Sequence, residues 1–465
     1  MKATTTKVLS KYDIVRQFRR SKSGLIGVAI LVALIGMSIY SYVAIPLESF
    51  RHWNSPNFWI DFPRTAAPSW VNIGFGPKIP EHTIQYMKDA TVTSIQGEQL
   101  RAVVHSYAVN FNYDYYPSDF MLVYSAQYGT TQPVLQVDVI RPDGEEFTIY
   151  FASFPSSQQE RNEFSARVFS TDRAIAENLR DYEYLFSYKQ DSSRPEIMIF
   201  SETQENKVLK GKYIINETFY LFDAQDSVED SGIILGGKVY GLIGTDELRR
   251  DLAVGILWGA PMALFIGFTV AIASVLIGLT YGVFAGYKGK RTDEGLMRIS
   301  DVFYSLPALP ILIILSVTVG RSIFLIAGFL VIFGWVGMAK VSRSIALQLK
   351  NMQYVEAAKL MGQSDTKIIF RHIIPQLLPL TFASIAIAVP GAILGEAALS
   401  FLGLGDPSIP TWGQILRDAN SAGAASRGLW WWIIPPGMMI AITGLAFVLI
   451  GNALDTIMNP RSRRM

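Results

Sequence analysis

Residues 356–375 read EAAKLMGQSDTKIIFRHIIP and lie between two long apolar runs. A polar segment with a glycine in its middle has to leave the hydrocarbon between those runs. Its first part, YVEAAKLM (354–361), is a good helix former, and Ala357 and Ala358 offer it a small-residue face. Gly362 then stands where a helix end wants a residue with positive φ. Ser364 or Asp365 can cap a second short helix, TKIIFRH, in which Ile368, Ile369 and Ile373 make an apolar stripe. Pro375 is expected to stop that helix just before the next apolar run. From the residues alone the segment is either a plain connector or a protrusion that docks in a groove on a partner.

The flanks decide where this hook lies. The first apolar run, 24–46, is 23 residues long and follows RQFRRSKS. That length spans the roughly 30 Å hydrocarbon core. It exceeds an ordinary signal-peptide core, and no small-x-small cleavage site closes it, so it reads as a retained first membrane helix. Five more runs follow at 252–286, 299–319, 322–339, 377–402 and 429–454. Seven Lys and Arg precede the first run, four lie in 287–298, six in 340–372 and three after Asn459. The two short loops on the other side hold only Arg321, Arg417 and Arg427. Twenty against three is a strong positive-inside bias, which implies both termini and the hook in the cytoplasm and a six-span chain in the cell membrane.

Between the first two spans lie residues 47–240, of a different character and on the outer face by the same rule. PVLQVDVIRPDGEEFTIYF reads as a hairpin that sets Leu135, Val137 and Val139 against Phe147, Ile149 and Phe151 around Pro142-Asp143-Gly144. HSYAVNFNYDYYPSDFMLVYS and KYIINETFYLFD are also β-prone and aromatic. STDRAIAENLRDYEY reads as a helix capped by Ser170 or Thr171. The expectation is a β-rich α+β domain that buries its own core, its aromatics serving as ordinary strand residues or as a binding surface. Asn216-Glu217-Thr218 fits an N-glycosylation acceptor pattern. The resulting division is a 1–23 cytoplasmic segment, the 24–46 helix, the 47–240 domain, a 241–460 core and a 461–465 tail.

Several function classes are excluded or disfavoured. With 50% hydrophobic and 17% charged residues and a net charge of +2, nothing points to nucleic acid. There are no cysteines, and the four histidines show no HExxH spacing, so no metal site is expected. No GxxxxGK[ST] phosphate loop is present; GYKGKRT comes nearest and lacks both the upstream glycine and the hydroxyl after lysine. No catalytic residue is identified, and the chain is not expected to be an enzyme.

Four segments together resemble one family. EAA, three residues, Gly and then a stretch ending in HIIP is similar to the EAA loop of ABC importer permeases, and His372 matches the dipeptide/oligopeptide branch. LIGTDELRRD (242–251) resembles that branch's GTDxxGRD box, GEAALSFLGLGDPSIPTWGQIL (395–416) its LSFLGLG signature, and GNALDTIMNPR (451–461) its C-terminal box. Arg249 stands where the box usually has Gly, and Asn452, Asp455, Thr456 and Asn459 replace charged residues of the last motif. The large outer domain has no counterpart in the compact members.

The resemblance implies a C-type permease subunit that pairs with a B-type permease and two ATPases and receives cargo from an extracytoplasmic binding protein. ATP and Mg would be bound by the ATPases and no cofactor by this chain, whose other neighbour is membrane lipid. Glu356, Ala357, Ala358, Lys359, Gly362, His372 and Pro375 would then form the ATPase-coupling loop. Di- or oligopeptides are the implied cargo; oligosaccharides through the same architecture, or a membrane-anchored receptor or sensor, are the alternatives.

Other positions have physical readings of their own. Thr245 can cap the second span, with Asp246 and Glu247 at its positive end, or serve gating. Pro307 and Pro310 are expected to kink the third span. Glu396 should face the bundle interior or a water-filled path, in capping, at an interface or against cargo. Gly255, Gly259, Ala263, Gly267 and Ala271, then Gly278, Gly282 and Gly286, make ridges for close helix approach. Trp430, Trp431 and Trp432 fit an aromatic belt.

Overall fold

A computed structural model describes residues 16–74, 76–97, 100–156, 161–185, 193–202 and 207–458. The chain forms two compact units: Pro56–Ala253, and the remainder up to Ser55 and from Val254.

The second of these is helical. Its long elements are α1 (Lys22–Ala44), α3 (Leu252–Lys288), α6 (Ile323–Leu349), α8 (Asp365–Phe401) and α10 (Trp430–Met458), with α2 (Arg173–Leu185) belonging to the other unit. All five are long and apolar enough to cross a membrane. The third expected span is not one straight helix. It is a pair, α4 (Lys290–Ser305) and α5 (Ala308–Thr318), bent by 74°, so the count among the described residues is five crossings, or six with the pair as one. The bend lies where the sequence places it. Leu306 precedes a proline and is extended, with ψ 133°, and Pro307 then starts α5. Pro310 falls in the first turn of α5, where the missing N–H costs nothing.

Two boundaries differ from expectation. α6 begins at the Ser322 cap and runs ten residues beyond 339, because VSRSIALQL continues the helix as an amphipathic extension. Nor does Pro375 interrupt the chain before α8. Residues Ile369–Ile373 form a π-turn in which Ile374 N–H bonds Ile369 C=O, and this wider turn gives the proline ring room beside the preceding carbonyls. The hook's second helix and the following span are therefore one 37-residue element.

The glycine ridges are used within the chain. A Cβ on Gly278, Gly282 or Gly286 would overlap backbone atoms of Trp335, Ala339 or Arg343 on α6, and Ser342 Oγ donates to Gly278 C=O at 3.0 Å. Gly267 packs on Val389 and Ile393 of α8, and Gly259 on Trp412 at the start of α9 (Trp412–Ser421), whose Nε1 donates to Ile256 C=O at 3.0 Å. The three tryptophans opening α10 do not form a belt. Only Trp430 is exposed; Trp431 and Trp432 pack inside the bundle, since consecutive helical residues point 100° apart.

The Pro56–Ala253 unit is a sandwich of two antiparallel sheets. One has strand order β1 (Thr83–Tyr86), β9 (Ser227–Leu235), β4 (Phe120–Tyr128), β7 (Asn162–Phe169). The other has β2 (Thr91–Gln96), β3 (Arg101–Phe111), β8 (Gly211–Leu221), β5 (Val134–Ile140), β6 (Glu146–Ser153). Their inner faces meet in one core that includes Tyr107, Phe111, Phe120, Tyr124, Phe147, Tyr213 and Phe219, with Ile175 and Leu179 of α2 added. Most of the dense strand aromatics are thus core residues.

The β5–β6 hairpin forms, with one change of phase. A bulge at Ile149 shifts the register between Val137 and Asp138, so Phe147, Ile149 and Tyr150 are buried while Phe151 points out. The cap of α2 is Asp172, whose Oδ1 accepts from Ala174 N–H, and not Ser170 or Thr171. Asn216 lies in central strand β8 and accepts a hydrogen bond from Ser106 Oγ.

Candidate functional site: the hook and its anchors

The hook is α7 (Gln353–Leu360) followed by the Gly362 turn and the start of α8. The turn is a Schellman cap: Gly362 N–H bonds Lys359 C=O, and Gln363 N–H reaches back to Ala358 C=O. Gly362 has φ +78°, a conformation open to glycine and costly for other residues. Ser364 caps the second helix by accepting from Lys367 N–H. His372 Nε2 lies 3.0 Å from Gln363 Oε1 and ties the turn to the helix that follows.

One face of the hook is nailed to the bundle. Val355, Ala358, Ile368, Ile369 and Ile373 are buried against Val275, Leu279, Val283 and Tyr287 of α3 and Met338 and Ala346 of α6. The Asp365 carboxylate accepts from Tyr287 Oη at 3.0 Å and pairs with Lys288 at 2.6 Å, while the Lys359 ammonium sits 5.0 Å from the Tyr287 ring centre. Next to it, Arg343 and Asp293 make a bidentate pair at 2.5 and 2.7 Å that fastens α4 to α6. The other face is free. Glu356 and Ala357 are exposed, and Leu360 and Met361 at the tip are 90% and 72% exposed. Two large apolar side chains are thus held out from the bundle by a rigid cap.

Of the sequence candidates, Glu356, Ala357, Ala358, Lys359, Gly362 and His372 come together here, with Ala358 inside and Glu356 and Ala357 outside. Pro375 follows in the continuous α8. Glu396 is elsewhere: it is buried in α8, accepts from Ser400 Oγ at 2.6 Å, and is bonded by Thr411 at the start of α9. It stitches α8 to α9. Tyr287, Lys288, Asp293 and Arg343 were not singled out from sequence; the charges in the short 287–298 loop were the available signal.

The 242–251 box lies in the sandwich unit. Thr245 does not cap α3, which begins seven residues later; its hydroxyl donates to Pro63 C=O at 2.7 Å and accepts from Ala66 N–H. Asp251 takes the capping role, accepting from Ala253 N–H at 2.8 Å. Asp246 is fully buried, accepts from Leu248 and Arg250 N–H at 2.9 Å, and pairs with buried Arg250 at 2.5 Å. It organises a turn and does not face the helix dipole, because the turn intervenes. Arg249 has φ +65°, and its guanidinium bonds Phe62 C=O at 2.7 Å and Asp119 at 2.6 Å.

Residues 278–464 match the family described as binding-protein-dependent transport system inner membrane component. The dipeptide transport system permease protein DppC of Bacillus subtilis is 39% identical over 222 residues, which cover 48% of this chain and 69% of that protein. The oligopeptide transport system permease protein OppC of Haemophilus influenzae is 37% identical over 225 residues, covering 48% and 71%. The chain belongs to this family. It is a C-type peptide ABC permease and a multi-pass membrane protein. A chain of the MetNI methionine ABC transporter in inward-facing conformations aligns at 18% identity and TM-score 0.35 over 43% of this permease and 96% of that chain. The family match contains the hook and none of the sandwich.

Proposed function

We propose that this permease forms half of a translocation path for di- and oligopeptides, driven by two separate ATPase subunits of which one grips the hook. A second, B-type permease completes the path, an extracytoplasmic binding protein delivers cargo, and ATP and Mg are bound by the ATPases. The observation that carries this reading is the hook's construction. One face is locked into three helices of the bundle, and the tip offers Leu360, Met361 and an unpaired Glu356 to a partner. A push on such a tip is delivered to α3, α6 and α8 together, which is the coupling that alternating access requires.

The charge pattern supports the orientation. With the bent α4–α5 pair as one crossing, all twenty Lys and Arg of the charged loops and ends share the hook's side, and the sandwich lies outside. Without that crossing the hook and its six basic residues would fall on the opposite side from the amino-terminal seven.

The test is uptake into vesicles holding the whole complex. Gly362→Val adds a Cβ into open space, so its effect is backbone strain of about 1–2 kcal/mol at the turn. Gly362→Val and Glu356→Lys should each insert normally and lose at least about tenfold in peptide uptake, a change of roughly 1.4 kcal/mol in coupling. Normal uptake and normal ATPase retention in both variants would refute the coupling role. ATP-dependent oligosaccharide uptake without peptide uptake would replace the cargo.

A further inference from the structure

Between α3, α6 and α8 lies a half-open chamber of about 230 Å³, lined by Ala271, Ser274, Leu330, Gly334, Ala388 and Gly391 among others. Its walls are aliphatic side chains and bare backbone, apart from one hydroxyl. Ser274 is buried and its Oγ has no hydrogen-bond partner. Thr280 of α3 and Thr381 of α8, by contrast, each donate to the carbonyl one turn back at 2.9 Å. An unpaired hydroxyl inside a membrane bundle is unfavourable unless something occupies the space beside it.

The local packing keeps that space. A Cβ on Gly334 would come within 2.8 Å of Ser274 Oγ, so a larger residue there would press on the hydroxyl. A Cβ on Gly391 would meet nothing within 4 Å. We propose that this chamber is a cargo-holding waist in which the Ser274 hydroxyl hydrogen-bonds the backbone of a short, extended peptide segment. The proposal rests on the peptide-permease reading and adds a site to it.

The lining selects this ligand class. A hydroxyl both donates and accepts, which suits an amide C=O or N–H equally. No charged residue lines the chamber, so peptide termini and charged side chains find no partner there. The volume is below the roughly 300–1,000 Å³ of pockets that enclose a whole drug-sized ligand, so only part of the cargo is held at a time. One hydrogen bond and small walls give a grip on backbone without reading side chains.

The permease has no cysteine, so Ser274→Cys is its sole thiol. In vesicles carrying the whole complex, a water-soluble thiol reagent should modify Ser274→Cys, and a transported peptide should slow that reaction about fivefold, the worth of one hydrogen bond. Gly391→Leu should plug the chamber and lower uptake at least about tenfold with normal assembly. Gly328→Leu, the same change at an open position of α6 outside the chamber, should keep uptake. No modification of Ser274→Cys in any nucleotide state, while an exposed Glu146→Cys control on the sandwich reacts, would show a dry packing void and overturn the proposal. Modification that cargo does not slow, with normal uptake by Gly391→Leu, would overturn it too. Protection by an oligosaccharide and not by peptide would defeat the cargo class shared with the proposed function, yet leave the chamber's water access standing.

Discussion

The helical bundle and the sandwich are cores built on opposite rules. The bundle places Gly and Ala where helices meet, so that Gly278, Gly282 and Gly286 lie against backbone. The sandwich places Phe and Tyr where sheets meet, with Tyr107, Phe120, Tyr213 and Phe219 fully enclosed. Solvent accounts for the difference. Lipid tails are as apolar as leucine, so membrane helices gain from close contact and not from hiding apolar area. Water rewards burial of area itself, and aromatic rings bring most of it. A substitution should therefore hurt by overlap in one unit and by cavity in the other.

The largest expected effect is Gly282→Val. Its Cβ overlaps the Ala339 carbonyl and the Ser342 hydroxyl, and backbone on both sides blocks relaxation. Folded permease in detergent should be lost, read as aggregation in size-exclusion chromatography. A monodisperse, active variant would break the close-contact account. Phe219→Ala comes next. It opens a cavity worth about 3–5 kcal/mol and should unprotect strands β3, β5 and β8 to hydrogen exchange. Unchanged exchange in those strands would show that the sandwich does not depend on its rings.

Two buried glutamates, one in each unit, also fare differently. Glu396 accepts hydrogen bonds from Ser400 and Thr411. Glu217 is fully buried on β8 opposite His105 of β3, and neither of its oxygens meets a donor in good geometry, the Gly232 N–H coming nearest. Around it stand Tyr107 and Ser231, with His105 Nδ1 2.5 Å and Tyr107 Oη 2.6 Å from Ser231 Oγ, and Asp230 adds negative charge. Burial, reinforced by Asp230, pushes the Glu217 carboxyl well above the usual range, and burial pulls His105 below its own. A raised carboxyl contributes stability that is whole below the unfolded value, near 4.5, and lost as pH rises through the folded one. The depressed His105 works in the other direction, its contribution lost as pH falls below about 6.5. Glu217→Gln should abolish the alkaline loss, so that the protection factors of β3, β8 and β9 in the full permease no longer fall as pH rises above the usual carboxylate value near 4.5. A wild-type sandwich whose protection is flat above that value would refute the neutral carboxyl.

Local patterns carried much of this to the reader of the sequence. The apolar runs, Gly362, Pro307 and the Pro142-Asp143-Gly144 turn each act within a few residues and were legible. What escaped depends on distant partners or on a local compensation. Pro375 was expected to break a helix, but a π-turn absorbs it. Thr245 looked like a cap because it precedes a span, yet residues 63–66, far off in sequence, claim its hydroxyl. Phe151 lost its place in the core to one bulged residue. The hook's anchors at Tyr287 and Lys288 lie on another helix, and only the fold brings them to the segment they hold.

The same contrast returns at two turns of the left-handed kind. Gly362 keeps the glycine that its φ of +78° asks for, while Arg249, where the family pattern has glycine, sits at +65°. The conformation costs a non-glycine residue about 1–2 kcal/mol. Its side chain offsets that cost by bonding Phe62 C=O and Asp119 and lying 5.7 Å from the Phe169 ring centre, contacts that reach only sandwich residues. Charged hydrogen bonds contribute about 1.5–3 kcal/mol each, discounted here for a pair one-fifth exposed. Arg249→Gly should therefore weaken the sandwich by only about 1 kcal/mol, seen as faster exchange near residues 60–66 and 117–121 and nowhere in the bundle. A stabilised variant would mean that the strain outweighs the bonds. The arginine would then be a tolerated departure from the family pattern and not a fastening for the inserted domain.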